Sequence, residues 1–130
     1  MIEEKNKTLS FYDLEVYQRS YDACIILSKK ILPLLPVSEK FDLSNQLSRS
    51  SKAIPRLITE GFAKKHQKKG FQKYLDDALA ESNETQVGLN QARDLYNVEY
   101  STESGNDLSQ EYKIISKQIF RLKEAWNKFS

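Results

Sequence analysis

Apolar residues recur along this chain at helical steps of three and four. The clearest series closes the sequence, where Leu108, Tyr112, Ile115, Ile119, Leu122, Trp126 and Phe129 follow one another at steps of 4, 3, 4, 3, 4 and 3. Such steps place one seam along a helix, in the spacing suited to bundle packing. Ile114, Phe120 and Ala125 widen it into a second face, more than one partner helix covers. The preceding series, Phe71, Leu75, Ala78, Ser82, Thr85, Leu89, Ala92 and Tyr96, carries small residues at its middle, which admit a neighbouring helix closely. A helix over residues 70–97 is roughly 42 Å long at 1.5 Å per residue. An earlier helix places Leu14, Tyr17, Tyr21, Cys24 or Ile25, Ile31 and Leu35 on one side. Pro33 and Pro36 mark its end, since each lacks an amide donor and disfavours helix in the residue before it.

The second helix is read from Leu43, Leu47, Ile54, Ile58 and Phe62, with Pro55 inside the stripe. That proline removes the hydrogen bond to the Ser51 carbonyl and crowds it, which predicts a kink near Ser51. Gly61 is the expected exit, or the helix runs a few residues further. Residues 63–69 form a short, polar, basic connection. Residues 101–107 form another, with Ser101 or Thr102 as the expected cap of the last helix. Short connections imply antiparallel neighbours. The expected fold is therefore all-α, an up-down-up-down antiparallel four-helix bundle with a proline-kinked second helix. Residues 1–10 are read as a flexible segment and residues 11–130 as the bundle.

Length and composition agree with one globular domain. The chain has 130 residues, 39% hydrophobic and 29% charged, with only 4 Gly and 3 Pro. These values exclude collagen-like, low-complexity and wholly disordered classes. The longest apolar run, residues 31–37, contains two prolines and falls far short of the ~20 residues a membrane span needs. The first residues offer no apolar stretch of a secretory signal. Cys24, the single cysteine, makes neither an internal disulfide nor a multi-thiolate metal site. A cytoplasmic location and no membrane partner are the expectations.

A net charge of +2 says little, but its distribution says more. Residues 46–73 hold eight Lys or Arg against Glu60 alone, while residues 74–111 hold nine acids against Arg93 alone. A basic region suits an anionic partner and an acidic one suits a basic neighbour. Arg49, Lys52 and Arg56, at steps of 3 and 4, project from one side of the second helix. Lys64, Lys65, Lys68 and Lys69 follow in the connection. Cations at this density neutralise phosphates and release counterions, giving affinity without sequence preference. Phe62, Phe71 and Tyr74 lie among them. If exposed they would stack on unpaired bases, although core positions are the favoured reading for Phe62 and Phe71. Arg49 has a competing role as ion-pair donor to Glu60, Glu84 or a neighbouring subunit.

Catalytic chemistry finds little support. His66, the only histidine, lies in the lysine-rich connection, where a solvated imidazole is the favoured reading. Cys24 falls among apolar positions and reads as a buried, inert thiol. Glu81 and Glu84 share a helix face, yet a paired-carboxylate metal site lacks its imidazole partners, so salt bridges or a solvated face are favoured. The glycines are too scattered for a phosphate loop. No catalytic residue, cofactor or metal is expected.

The run Leu43-x-x-Gln46-Leu47-x-Arg49-Ser50-x-x-x-Ile54-Pro55-x-x-Ile58-x-Glu60-Gly61 resembles the bacterial four-helix-bundle proteins named for reading frames in 23S rRNA intervening sequences. The likeness extends through Phe71-x-x-Tyr74-Leu75, Ala78, Asn83-Glu84-Thr85, Leu89 and Ala92-x-x-Leu95. It also includes Phe11-x-x-Leu14-x-Val16-Tyr17 near the start. Leu57 stands where members usually have Asn, Ala80-Glu81 where Gly-Ser is common, and Lys64 where Arg is frequent. The resemblance implies an all-α bundle that assembles as a ring-like homopentamer without established enzymatic activity. Related bundles serve diversity-generating retroelements as basic pentamers associated with nucleic acid and reverse transcriptase. In a ring, weak phosphate contacts combine multivalently.

The expected function is that of a non-catalytic oligomeric bundle binding RNA or another nucleic acid through Arg49, Lys52, Arg56, Lys64, Lys65, Lys68 and Lys69. Gln46, Pro55, Glu60, Gly61, Glu84, Ile114 and Phe120 are expected at structural or subunit-interface positions. The alternative is a scaffold whose basic side docks on an acidic protein surface.

Overall fold

A computed structural model describes residues 10–129, with the side chains of Lys68 and residues 127–129 left out. Residues 1–9, most of the expected flexible segment, and the Lys68 and Phe129 side chains thus lie outside the described residues. The described residues form four α-helices: α1 (Glu15–Ile26), α2 (Leu43–Ala63), α3 (Lys68–Tyr96) and α4 (Leu108–Phe129). The described residues contain no strand, only an isolated bridge between Ser101 and Asp107. The helices pack in cyclic order, α1 on α2, α2 on α3, α3 on α4 and α4 on α1, around one apolar core.

Cross-helix contacts follow opposed sequence order. Near the start of α2, Gln46 Nε2 donates to Glu84 at 3.0 Å; near its end, a Cβ on Gly61 would stand 3.1 Å from Tyr74 Cβ. Between α3 and α4, Asn90 accepts from Ser109 at 2.7 Å and Gln72 Nε2 donates to the Lys123 carbonyl at 3.2 Å. Arg19 of α1 pairs with Glu111 at 2.5 Å, while Glu15 accepts from Gln118 at 3.0 Å.

The α3 seam matches the sequence reading: Phe71, Leu75, Ala78, Ser82, Thr85, Leu89 and Ala92 are buried, and Tyr96 is half-buried. Its small residues sit where neighbouring helices come close, with Ser82 Oγ donating to the Tyr112 carbonyl of α4 at 3.2 Å. A Cβ on Gly88 would stand 2.6 Å from Leu47 Cδ2, so the hydrogen side chain is what admits Leu47. Beside it Thr85 Oγ1 lies 2.7 Å from Ser50 Oγ and 2.8 Å from the Glu81 carbonyl. These bonds satisfy hydroxyls that would otherwise be costly to bury. On the α4 seam Leu108, Tyr112, Ile115 and Ile119 are fully enclosed, while Ile114 is half-buried and Phe120 exposed.

Three local details differ from the sequence reading. On α1 the buried face is Val16, Ser20, Ala23, Cys24 and then Leu27 and Ile31, rotated away from Tyr21 and Ile25, which are exposed. Small Ser20 and Ala23 let the neighbouring helices close in, and the tyrosine hydroxyls stay in water. α2 runs two residues past Gly61, to Ala63, within the expected range, and Gly61 permits close packing on Tyr74 and Phe71. The α2–α3 connection is shorter than residues 63–69, because α3 already begins at Lys68. Finally, Asp107 rather than Ser101 or Thr102 caps α4. Its Oδ1 accepts from the Gln110 amide at 2.8 Å, and Gln110 Oε1 accepts from the Asp107 amide at 3.2 Å, a reciprocal capping box.

α3 ends at Asn97 in the left-handed conformation, φ 58°, with the Val98 amide donating to the Ala92 carbonyl at 3.2 Å. This satisfies helix-end carbonyls and turns the chain toward α4.

The Tyr112 hydroxyl is buried and has no hydrogen-bond partner among the described residues. Desolvation, reinforced by the neighbouring Cys24 and Glu111, pushes its pKa well above that of a free tyrosine. Tyr112→Phe removes the stranded hydroxyl and keeps the ring. The variant is expected to gain about 1 kcal/mol in urea melts; a loss of stability contradicts this.

Candidate nucleic-acid interface

The basic side chains of α2 sit opposite its core stripe. Leu43, Leu47, Ile54 and Ile58 point inward, so the steps of 3 and 4 that join Arg49, Lys52 and Arg56 leave all of them exposed. None of these cations forms an ion pair with a carboxylate among the described residues; the pairs there join Arg19 to Glu15 and Glu111, Lys73 to Asp77, Arg93 to Asp94 and Lys123 to Asp76. The expected Arg49 bridge to Glu60 or Glu84 is not formed. Glu84 instead accepts from Gln46, and Glu60 is exposed.

Arg49 still acts at a distance. The Glu81 carboxyl is raised, first by desolvation and then by the charge and hydrogen bond of Glu84, and Arg49 opposes that rise. The Glu81–Glu84 pair is thus close, with the Arg49 charge beside it.

At the far end of α2 the connection and the first turn of α3 present a second basic group. Lys64 and Lys69 are exposed, and Lys65 is half-buried with Nζ 4.2 Å above the Phe62 ring centroid. Arg56 and Lys64 are eight residues apart, about 12 Å along the helix axis. The cations therefore form a row along α2 and its exit rather than one compact pocket. The loop is anchored from beneath: Trp126 Nε1 donates to the Lys65 carbonyl at 3.1 Å, and the Trp126 ring meets Phe71 at 4.8 Å between centroids. His66 is exposed in this loop.

Phe62 and Phe71 are buried, which removes them as stacking platforms. Tyr74, the third candidate ring, is half-buried with Lys73 Nζ 5.8 Å from its centroid, and sequence reasoning missed two further rings beside the cations. Tyr17 and Tyr21 of α1 line a groove of about 200 Å³ together with Cys24, Lys52, Pro55, Arg56 and Thr59. Tyr21 is 48% exposed. The sign available in the sequence was the choice of tyrosine, rather than leucine or phenylalanine, at two positions of an apolar face. Cys24 closes the groove floor, its thiol pushed up by burial against the opposing effects of the Ser51 hydroxyl, Lys52 and Arg56. A protonated, buried thiol is a poor nucleophile.

Among the described residues no cluster of His, Cys, Asp and Glu could hold a metal ion, and no helix is long and apolar enough to cross a membrane. Unpaired, exposed cations in a row are equipped to bind a polyanion. Residues 12–121 match the family model described as 23S rRNA-intervening sequence protein. No curated protein matches the sequence.

Proposed function

We propose that this chain, which belongs to the 23S rRNA-intervening sequence protein family, is a non-catalytic helical-bundle protein that binds RNA through the basic surface of α2 and the α2–α3 connection. The observation that carries the reading is that Arg49, Lys52 and Arg56 are exposed along one side of α2, with no carboxylate paired to them among the described residues. With it goes an up-down-up-down antiparallel bundle, kinked in α2 near Ser51. The opposed order of the cross-helix bonds supports the topology, and the position of Pro55 inside α2, with no amide to donate to the Ser51 carbonyl, supports the kink.

The same reading makes the particle a homo-oligomer, a pentamer by sequence resemblance. Val37 at 88% exposure, Phe41 at 84% and Leu95 at 64% supply apolar surface for subunit contacts, as does exposed Phe120 on α4. Repetition of the basic row around a ring would combine weak phosphate contacts.

Filter binding to two RNAs of unrelated sequence tests the proposal. Equal affinity for both at low salt is expected, since phosphate contacts carry no base readout; no binding at low salt overturns it. The second reading, a scaffold docking on an acidic protein surface, is favoured by Glu84, Glu99 and Glu103, which are exposed and outside the ion pairs above, so that a second copy would offer such a surface. Arg49→Gln would then change the mass seen by light scattering and leave RNA affinity unaltered.

A further inference from the structure

Four aromatic rings gather at the start of α1, and they do not belong to the core stripe. Phe11 meets Tyr17 at 5.0 Å, and Tyr12 meets Tyr17 at 5.7 Å with planes 88° apart. Tyr17 then meets Tyr21 at 6.0 Å with planes 34° apart. Edge contacts from Phe11 and Tyr12 thus hold Tyr17 in place, and Tyr17 in turn supports Tyr21. The outer rings remain open to solvent, Tyr12 at 61% and Tyr21 at 48%. Large aromatic surface so exposed has a use in binding more readily than in stability.

The ladder stands beside cations from another helix. Tyr17 and Tyr21 share their groove with Lys52 and Arg56, and both of those charges act on Cys24 at its floor. At about 200 Å³ the groove is smaller than the ~300–1,000 Å³ of pockets that enclose a whole small ligand. It has room for one planar group, with the rest of the ligand outside. Its parts match the parts of a nucleotide: a ring face for a base, flanking cations for the phosphates on either side. A base within a duplex is stacked and paired, and cannot present its face to a tyrosine. Phosphate contacts alone favour the more densely charged duplex, so the rings add a property that the basic row lacks.

The geometry points to the α1–α2 groove as a seat for one unpaired RNA base, stacked on Tyr21 and flanked by phosphates on Lys52 and Arg56. The inference rests on the RNA-binding reading above and adds to it a preference for single strands over duplex.

Fluorescence anisotropy with a labelled 12-nucleotide RNA, alone and annealed to its complement, tests this at one salt concentration. Tyr21→Ala is expected to weaken single-strand binding about tenfold and to leave duplex binding within about twofold, while Tyr21→Phe retains wild-type behaviour. A strand carrying abasic nucleotides should bind the unaltered protein about tenfold more weakly than the intact strand, which keeps the test independent of any variant's folding. Equal binding of abasic and intact strands overturns the inference, as does parallel weakening of both forms by Tyr21→Ala. If Arg56→Glu weakens both forms and Tyr21→Ala weakens neither, base stacking fails and the phosphate reading stands. If the wild type binds neither form, both fail.

Discussion

The combined variant Arg49→Gln, Lys52→Glu and Arg56→Glu is expected to bind RNA roughly 10²–10³-fold more weakly at about 50 mM salt. Each phosphate contact contributes through the counterion it releases, and three contacts are lost from one face of α2. Arg49 is exchanged for glutamine rather than glutamate because it lies beside the Glu81–Glu84 pair. A new carboxylate there would add repulsion where the Glu81 carboxyl is already raised by desolvation and by Glu84. All of these side chains are exposed, so the fold should be retained, with far-UV circular dichroism and the melting midpoint close to wild type. Filter binding gives the affinity. Loss of less than about threefold with the fold intact would show that phosphates do not sit on this row.

Phe71→Ala is expected to cost about 3–5 kcal/mol of stability. The ring is fully enclosed, packs on Trp126 at 4.8 Å and lies against Gly61, where a Cβ would stand 3.4 Å from its Cδ1. Truncation leaves a cavity where α2, α3 and α4 meet, and little can collapse into it because Gly61 has no side chain to offer. The loss is large against the ~5–15 kcal/mol that typically holds a domain together. It also reaches the basic loop, since Trp126 anchors the Lys65 carbonyl. Urea melts followed by fluorescence of Trp126, the single tryptophan, report both effects. A cost under about 1 kcal/mol would mean that the ring is not part of the core.

The helical architecture was legible where the apolar steps were long and unambiguous. The α3 seam, from Phe71 to Ala92, could be read residue by residue because its apolar and small positions keep steps of three and four throughout. α1 was harder. Tyr17 and Tyr21 count as apolar in a periodic pattern, whereas Ser20 and Ala23, buried to 0% and 2% exposure, do not announce a core face. The rotation of α1 depends on how closely its neighbours approach, which no local pattern encodes. The α4 cap was written in the sequence as Asp107 and Gln110, three residues apart, but Ser101 and Thr102 are equally good cap formers by residue type.

The site divided in the same way. The exposure of Arg49, Lys52 and Arg56 follows from their spacing against Leu47, Ile54 and Ile58 on one helix. The groove with Tyr17 and Tyr21 joins residues about 35 positions apart, and only the packing of α1 on α2 brings them together. Phe62 and Phe71, two of the three aromatics that lie among the lysines in sequence, are buried, while Tyr74 is half-buried.

The account depends on cations that carboxylates leave unneutralised, and the salt dependence of wild-type RNA binding tests this most directly. Four to seven phosphate contacts correspond to a slope of about −3 to −5 when the logarithm of the binding constant to single-stranded RNA is plotted against the logarithm of salt concentration. A slope in that range is predicted. Binding that is absent at low salt, or that stays constant as salt is raised, would contradict it.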